Sequence, residues 1–247
     1  MRIACIHAHP DDAEILAGGT LALLSRLGHE ISIVTMTAGD CGSGIHAANE
    51  ISAIRRAEAA ASAKLIGAEY RCAGFRDLAI FNDDGSRRKV TGLLRDLRCD
   101  IVLTASPSDY LCDHEATSQL VRDACFAASV PNYEAPGGQA TKEIPALYFL
   151  DPIDGTDRDG KIVVPDFTVD VASTFETKRA MLAQHESQRS WLKQQHGMDD
   201  YLDQMETWTR GCGKRADIAL GEGFRQYKIH PYPNQLVLQQ VLPGYVV

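Results

Sequence analysis

The chain lacks the features that mark membrane, nucleic-acid-binding and secreted proteins. It has no run approaching the roughly 18 apolar residues that a membrane span needs. It has no block of Lys or Arg, and its formal net charge of -8 disfavours nucleic acid or an anionic membrane as a partner. The seven cysteines are scattered without a Cys-x-x-Cys pair, so we expect reduced thiols. The first residues resemble no signal peptide, because a short apolar run ends at once in His, Pro and two Asp, and we therefore expect a cytoplasmic protein.

What remains is an ordinary globular composition: 247 residues, of which 45% are hydrophobic and 23% charged. Short β-prone runs alternate with amphipathic segments. This alternation predicts an α/β fold with an open, mostly parallel sheet flanked by helices. We expect one domain over 1–247, with 190–247 as a C-terminal helical and irregular extension. Strands are predicted at 2–7, 30–36, 69–73, 100–105, 146–150 and 167–171, and helices at 12–27, 50–66, 86–98, 114–128, 173–193 and 198–209.

A polar cluster, His9-Pro10-Asp11-Asp12-Ala13-Glu14, directly follows the first predicted strand. Ligands of parallel sheets bind beyond the carboxyl ends of the strands, so the cluster lies where a site is expected. Imidazole and carboxylate are ordinary ligands of Zn²⁺. One Asp could bind a metal while the other faces a metal-bound water. The alternative is that Asp11 or Asp12 only caps the following helix.

A second polar segment, residues 106–115, follows the strand predicted at 100–105. His114 could complete a His-Asp-His set that leaves a coordination position open for water, which is typical of catalytic zinc. Asp113 could cap the helix or orient a nearby imidazole. Taken alone, His114 is equally compatible with a hydrogen-bonded histidine at a helix start.

These motifs resemble the PIG-L/LmbE family of zinc-dependent de-N-acetylases, which act on N-acetylglucosamine-type groups. The first family motif is AHPDD followed closely by Glu, here residues 8–14, and a later motif ends in Asp-His, here residues 113–114. Two weaker matches are Arg-x-x-Glu-Ala at 55–59 and His-x-Ser-Gln at 185–188. The resemblance covers roughly residues 1–225.

The resemblance implies a Rossmann-like (LmbE-like) fold with zinc at the strand ends. By the family pattern His9, Asp12 and His114 are the metal ligands, Asp11 is the general base, and Arg55 lies near the substrate. Fe²⁺ and Co²⁺ are alternatives to zinc, because His₂Asp sets accept several divalent ions.

The chain departs from the family pattern at one position. Family deacetylases commonly carry a His three residues before the ligand His, and here that residue is Leu111, followed by Cys112 in place of Pro. The missing imidazole usually helps to polarise or protonate the tetrahedral intermediate. His185, His230 and Tyr110 are candidates to replace it, and Cys112 could also approach the metal.

The expected reaction is attack of metal-activated water on an amide, with Asp11 as general base and then general acid. We count Tyr110 and Asp113 with Asp11 as candidate catalytic residues, and either Tyr110 or Arg55 could hold the oxyanion. Arg55 and His185 are the candidate substrate-binding residues, although His185 is equally compatible with a structural role on its helix.

The sequence therefore predicts a zinc-dependent de-N-acetylase whose partner is a small N-acetylated sugar or conjugate. One alternative is a zinc hydratase or lyase acting on an unsaturated dicarboxylic acid, favoured by the lost His and by Arg55 and Arg56. Another is a non-catalytic sugar-binding protein with a relict metal site. A homo-oligomer is compatible with the Pro-rich tail, which could reach a neighbouring subunit.

Overall fold

A computed structural model describes residues 1–196 and 201–247. The fold has three layers, with one central sheet between two layers of helices. The strands of the described ranges form a seven-stranded sheet in the order β3-β2-β1-β4-β5-β7-β6. The strands are β1 (Arg2–His7), β2 (Glu30–Thr37), β3 (Glu69–Phe75), β4 (Ile101–Thr104), β5 (Ala146–Leu150), β6 (Phe167–Asp170) and β7 (Gly221–Gln226). The helices are α1 (Asp12–Arg26), α2 (Ala48–Lys64), α3 (Asp84–Leu97), α4 (Cys112–Ala128), α5 (Phe175–Leu182), α6 (Glu186–His196), α7 (Tyr201–Arg215) and α8 (Val237–Gln240).

Strands β1 to β5 run parallel, and β7 pairs antiparallel with both β5 and β6. The central strands β1 and β4 are buried on both faces, as parallel strands covered by helices must be. Two apolar clusters, one centred on Leu21 and Leu103 and one on Ile6 and Leu120, fill the two layers between sheet and helices. The predicted open, mostly parallel sheet flanked by helices is confirmed.

The predicted helix over 173–193 is wrong as one continuous element. The chain forms α5 and then α6, and residues 183–185 break the helix between them. The break turns the ring of His185 inward, where it is 1% exposed and lies beside Glu14. The helix predicted at 198–209 corresponds to α7, and its first residues, 198–200, lie outside the described residues.

Strand β7 is absent from the sequence prediction because two glycines interrupt its pattern, and glycine is depleted in strands. Close approach explains both glycines. A Cβ on Gly223 would lie 2.2 Å from Asp151 Oδ2, and one on Gly221 would lie 2.6 Å from the methyl carbon of Thr168.

The C-terminal residues return to the sheet edge, where Val246 bridges to Val169. Segment 190–247 thus contains the end of α6, helices α7 and α8, strand β7 and a bridge to β6. Its description as an extension of a single domain stays a prediction. No helix in the described part of the chain is both long and apolar enough to cross a membrane.

Candidate metal centre and active site

The two polar clusters meet at the middle of the sheet. Strands β1 and β4 are parallel neighbours, but the chain leaves β1 toward β2 on one side and leaves β4 toward β5 on the other. This change of direction opens a crevice at their carboxyl ends, where open α/β sheets bind ligands. His9 and Asp12 follow β1, and His114 lies in the first turn of α4 after β4.

Asp12 is the centre of the cluster. His9 Nδ1 lies 3.4 Å from Asp12 Oδ2, and His114 Nε2 lies 3.4 Å from Asp12 Oδ1. The Nε2 atom of His114 is buried and has no hydrogen-bond partner among the described residues. Such an orphaned atom is costly unless another group binds it. The His and Asp donors and this orphaned nitrogen fit a divalent cation, and the ligand set His9, Asp12 and His114 stays a prediction.

In both imidazoles, the ring nitrogen that does not face Asp12 lies against a carboxylate. His9 Nε2 lies 3.1 Å from Asp113 Oδ2, and His114 Nδ1 lies 3.0 Å from Asp109 Oδ1. Metal-ligating histidines nearly always donate their second nitrogen to a carboxylate, a carbonyl or water, which fixes the tautomer and the ring orientation. The arrangement leaves His9 Nδ1 and His114 Nε2 facing Asp12.

The electrostatics of the cluster favour positive charge. Burial opposes protonation of His9, but hydrogen bonds to Asp113 and Asp12 raise the pKa of His9 to about 9. Burial likewise opposes protonation of His114, but Asp12 and Asp109 raise the pKa of His114 to about 10. Carboxylates that stabilise two imidazolium ions equally stabilise a bound cation, which would displace those protons.

His7 is a second buried imidazole against Asp12, with Nδ1 2.6 Å from Asp12 Oδ2. Burial alone would raise the pKa of Asp12, but His7 and His114 hold that pKa well below its ordinary value. His7, Asp12 and His114 also place one donor atom each within 4.8 Å of one another. Because His7 lies outside the cavity lining whereas His9 is part of it, a cation that serves a substrate would use His9.

Asp11 has an unusual backbone. It occupies the residue before α1, yet its φ is 102°, in the left-handed region that non-glycine residues rarely adopt. Its side chain makes no capping hydrogen bond. The carboxylate instead accepts a hydrogen bond from the hydroxyl of Tyr201 and lies 3.8 Å from the guanidinium of Arg55. The simple capping role for Asp11 is therefore wrong, and strain of this kind clusters at functional sites.

Burial raises the pKa of the Asp11 carboxyl above its ordinary value, and Asp12 adds to the rise while Arg55 opposes it. Both oxygens face donors, and the residue is 5% exposed. A buried carboxyl with a raised pKa is a better proton acceptor and donor near neutral pH than a solvated one.

A cavity of about 490 Å³ opens in front of this cluster. The sequence-predicted residues that line it are His9, Asp11, Asp12, Arg55, Tyr110 and His114. Leu111 lines it too, so an apolar side chain stands where family members carry the additional His. Tyr110 is 68% exposed at the rim, with its ring centroid 5.6 Å from that of His114.

The guanidinium of Arg55 is enclosed by the loop after β2. A Cβ on Gly39, whose φ is +73°, would lie 2.4 Å from Arg55 Nη1, and one on Gly42 would lie 2.5 Å from the same atom. Arg55 Nη2 donates to the carbonyl of Pro10 at 2.8 Å. Arg55 therefore sits beside Asp11 as much as beside the cavity.

The two weaker family motifs, at residues 55–59 and 185–188, contact one another. Glu58 on α2 accepts a hydrogen bond of 2.8 Å from the amide of Ser187, and a second one from the Ser187 hydroxyl. This contact fixes the start of α6, which lines the cavity through Gln188 and Trp191. His185, the candidate substrate ligand, instead lies with Nε2 3.2 Å from Glu14 Oε1, behind the cavity wall.

The structure thus separates the predicted residues into two groups. His9, Asp11, Asp12 and His114 share one cluster with Arg55 and Tyr110 at its edge, while Asp113 lies behind His9 and His185 behind the wall. His230, another proposed replacement for the missing imidazole, is exposed after β7. The thiol of Cys112, which the sequence suggested could approach the metal, lies 3.9 Å from Asp113 Oδ1.

Sequence reasoning missed Tyr201, Asp109 and the two cavity tryptophans, Trp191 and Trp208. Asp109 could have been found, because it precedes His114 within the same polar segment. Tyr201 gave no local signal, since it reaches Asp11 from 190 residues away.

The fold and the cluster define an open α/β protein with a His/Asp centre able to hold a metal at the carboxyl ends of its strands. A family model, PIG-L, described as GlcNAc-PI de-N-acetylase, matches residues 4–125. That segment holds β1 through most of α4, and with it both polar clusters. Residues 4–125, just under half of the chain, thus match the PIG-L family.

Named relatives are similar over most of the chain. Diacetylchitobiose deacetylase of Thermococcus kodakarensis is 26% identical over 196 residues, which cover 76% of this chain and 70% of the relative. A 1D-myo-inositol 2-acetamido-2-deoxy-alpha-D-glucopyranoside deacetylase of Mycobacterium sp. is 25% identical, covering 76% of this chain and 74% of the relative.

Solved structures share the fold. The 4-carboxy-2-hydroxymuconate hydratase of Pseudomonas putida superposes with a TM-score of 0.77 at 22% identity, covering 95% of this chain and 99% of that one. The N,N'-diacetylchitobiose deacetylase of Pyrococcus horikoshii gives a TM-score of 0.75 at 25% identity, covering 94% of this chain and 87% of that one.

Proposed function

We propose that the chain is a metal-dependent de-N-acetylase that hydrolyses the acetamide of an N-acetylglucosamine-type or related small molecule. One observation carries the proposal: Asp11 lies in the same cavity as the donor atoms of His9, Asp12 and His114. The deacetylase names of the relatives from Thermococcus kodakarensis and Mycobacterium sp. support the reaction class.

The cation is zinc in this proposal, with Fe²⁺ or Co²⁺ as alternatives. His9, Asp12 and His114 would hold it, and Asp109 and Asp113 would orient the two imidazoles. When bound, such an ion polarises a carbonyl and lowers the pKa of water toward about 7.

Asp11 takes the proton of the attacking water and returns it to the leaving amine. Its raised pKa suits the first step, because a carboxylate with a higher pKa accepts a proton more readily. Tyr201 holds one oxygen and Arg55 faces the other, so the carboxylate is oriented before substrate arrives. Such positioning reduces the entropy that the carboxylate must lose on the way to the transition state.

Tyr110 is our candidate for the group that steadies the oxyanion. Leu111 offers no donor, and Arg55 is 4% exposed and donates to Pro10. Tyr110 lines the cavity and its ring packs against His114, so we expect its hydroxyl to reach a substrate carbonyl bound there. A hydroxyl donor that meets the developing charge is typically worth about 2.7–4 kcal/mol.

The lining of the cavity suits a sugar. Trp191, Trp208 and Tyr110 offer aromatic faces to the apolar side of a pyranose ring, and Gln188 and Gln204 offer amide groups to its hydroxyls. A pocket of about 490 Å³ lies within the usual range for small-molecule sites. Cytoplasmic location and homo-oligomerisation stay predictions.

The test is acetate release by the purified chain loaded with Zn²⁺, against N-acetylglucosamine, diacetylchitobiose and a glycoside of N-acetylglucosamine. The proposal expects metal-dependent release from at least one of these, lost with a chelator and restored by Zn²⁺. Asp11→Asn serves as the matched inactive control.

A hydratase acting on an unsaturated dicarboxylic acid is the second candidate, and the apolar Leu111 in the cavity wall is the observation that favours it. Loss of ultraviolet absorbance from an unsaturated diacid, with no acetate released from any acetamide, would replace the deacetylase proposal by this one. Metal binding with neither reaction would leave a sugar-binding protein.

A further inference from the structure

A second group of metal-ligating side chains lies at the mouth of the cavity, outside the cluster around Asp12. Asp40 and Cys41 follow β2, and Asp77 follows β3, which is the neighbouring strand. One carboxylate oxygen from each Asp and the thiol sulfur of Cys41 all lie within 4.8 Å of one another. Cys41 and Asp77 also line the cavity.

One carboxylate oxygen of Asp77 has no hydrogen-bond partner among the described residues. Asp77 Oδ2 accepts the amide of Cys41 at 2.8 Å, whereas Asp77 Oδ1 is the buried oxygen that lacks a partner in the described part of the chain. The Asp77 side chain is 8% exposed. A buried carboxylate oxygen in that state pays a desolvation cost that a bound cation would offset.

We propose that Asp40, Cys41 and Asp77 form a second divalent cation site, suited to Zn²⁺ or another thiophilic ion, at the rim of the active-site cavity. Two carboxylates and a thiolate are ligands that a borderline-soft ion accepts, whereas Mg²⁺ and Ca²⁺ require oxygen alone. On binding, the Cys41 thiol releases its proton to solvent as the sulfur–metal bond forms.

The neighbouring charges permit an ion here. Asp40 pairs with Arg76 at 3.1 Å, but Arg76 is 76% exposed, so its side chain can move into solvent when a cation takes its place. Asp77 and Asp113 both lie against His9, so the carboxylates near Asp40 outnumber the cationic side chains of His9 and Arg76.

The two sites meet at His9. Its Nε2 lies 3.9 Å from Asp77 Oδ1, while its Nδ1 faces Asp12. An ion at the rim would therefore stand beside the ligand of the proposed catalytic ion and across the entrance.

The test is a Co²⁺ titration of the chelator-treated full chain, followed by absorbance in the near ultraviolet. The site around Asp12 offers only nitrogen and oxygen donors, so a thiolate-to-cobalt charge-transfer band reports the rim site alone. We expect the band to appear as a second Co²⁺ ion binds. Cys41→Ser should abolish it, and Asp77→Asn should weaken that second binding step at least about tenfold.

Cys112→Ser is the matched control, because Cys112 is also exposed near the cavity but lies against Asp113. It should leave the band unchanged. A band that persists in Cys41→Ser, or binding of a single Co²⁺ with no band, would overturn the proposal. Both readouts are independent of turnover, so they stand whatever the acetate assay gives.

Discussion

The ring of His114 is oriented by Asp109, whose Oδ1 lies 3.0 Å from His114 Nδ1. Asp109 is 1% exposed, and the contact turns His114 Nε2 toward Asp12. We expect Asp109→Asn to weaken Zn²⁺ binding about 10–100-fold, because an amide neither fixes the tautomer nor adds charge. Competition titration against a chromophoric chelator measures the affinity, with Asp159→Asn on an exposed loop as the control. Equal losses in the two variants would remove the assigned role.

His7 and His9 can be distinguished as metal ligands. His9 lines the cavity, whereas His7 is fully buried behind Asp12. We expect His9→Gln to lose tight Zn²⁺ binding altogether, and His7→Gln to weaken it only about 10–100-fold by loosening Asp12. The same chelator competition decides between them. If His7→Gln loses the metal and His9→Gln keeps it, the ligand set is His7, Asp12 and His114 instead.

Asp11 should matter for turnover and not for metal binding. Asp11→Asn keeps the shape of the side chain and its contacts with Tyr201 and Arg55 within reach, but it cannot accept a proton. We expect kcat to fall by about 10²–10⁴-fold, the typical contribution of a general acid–base group. Steady-state kinetics with metal analysis of the same sample provides the check. Retained activity in a fully metallated variant would reject the role.

Tyr201 is a positioning residue for Asp11. Tyr201→Phe removes the donated hydrogen bond while leaving the ring, which is 9% exposed. We expect kcat to fall about tenfold with KM nearly unchanged, and the free energy of unfolding to fall by about 1–2 kcal/mol. Tyr70→Phe is a matched control, because the Tyr70 hydroxyl bonds to Thr35 in the neighbouring strand. It should lower stability and spare kcat; a similar kcat loss in both variants would contradict the assignment.

Asp151, which does not line the metal-site cavity, should make the free energy of unfolding depend on pH. Burial raises its pKa from the ordinary 3.8 to about 6, although Arg225 and Arg215 oppose the rise. The folded state therefore binds this proton more tightly than the unfolded state. The resulting stability is present below about pH 4 and is lost as the pH rises through about 6.

Asp151→Asn stays neutral throughout this range. The free energy of unfolding of Asp151→Asn relative to the natural chain should therefore increase by about 2–3 kcal/mol between about pH 4 and about pH 7. Urea unfolding at both pH values measures it, with Asp154→Asn as an exposed neighbouring control. A relative stability that does not change with pH would show that Asp151 is ionised without penalty.

The sheet could be predicted because its strands carry their own signal. The runs at β1, β2 and β4 are apolar and bounded by turns, and their alternation with helices predicts parallel pairing. Strand β7 could not be predicted in this way. Its glycines are dictated by Asp151, which follows β5, and by Thr168 in β6, so the reason lies in tertiary packing.

The candidate site likewise contains some residues that the sequence could predict and others that it could not. His9, Asp11 and Asp12 are neighbours in sequence, and His114 follows the adjacent strand, so sheet topology alone brings them together. Tyr201 enters from α7, and nothing near it in sequence predicts contact with Asp11. His185 shows the converse, since a motif match suggested substrate while its ring faces Glu14 inside the protein.

The most direct test of the account is a crystal of the Zn²⁺-loaded chain, with diffraction measured on both sides of the zinc absorption edge. The account predicts an anomalous peak between His9 Nδ1, Asp12 and His114 Nε2, with one side facing the cavity that Asp11 lines. A map with no peak at Asp12, or a peak bonded to His7 and closed off from the cavity, would contradict it.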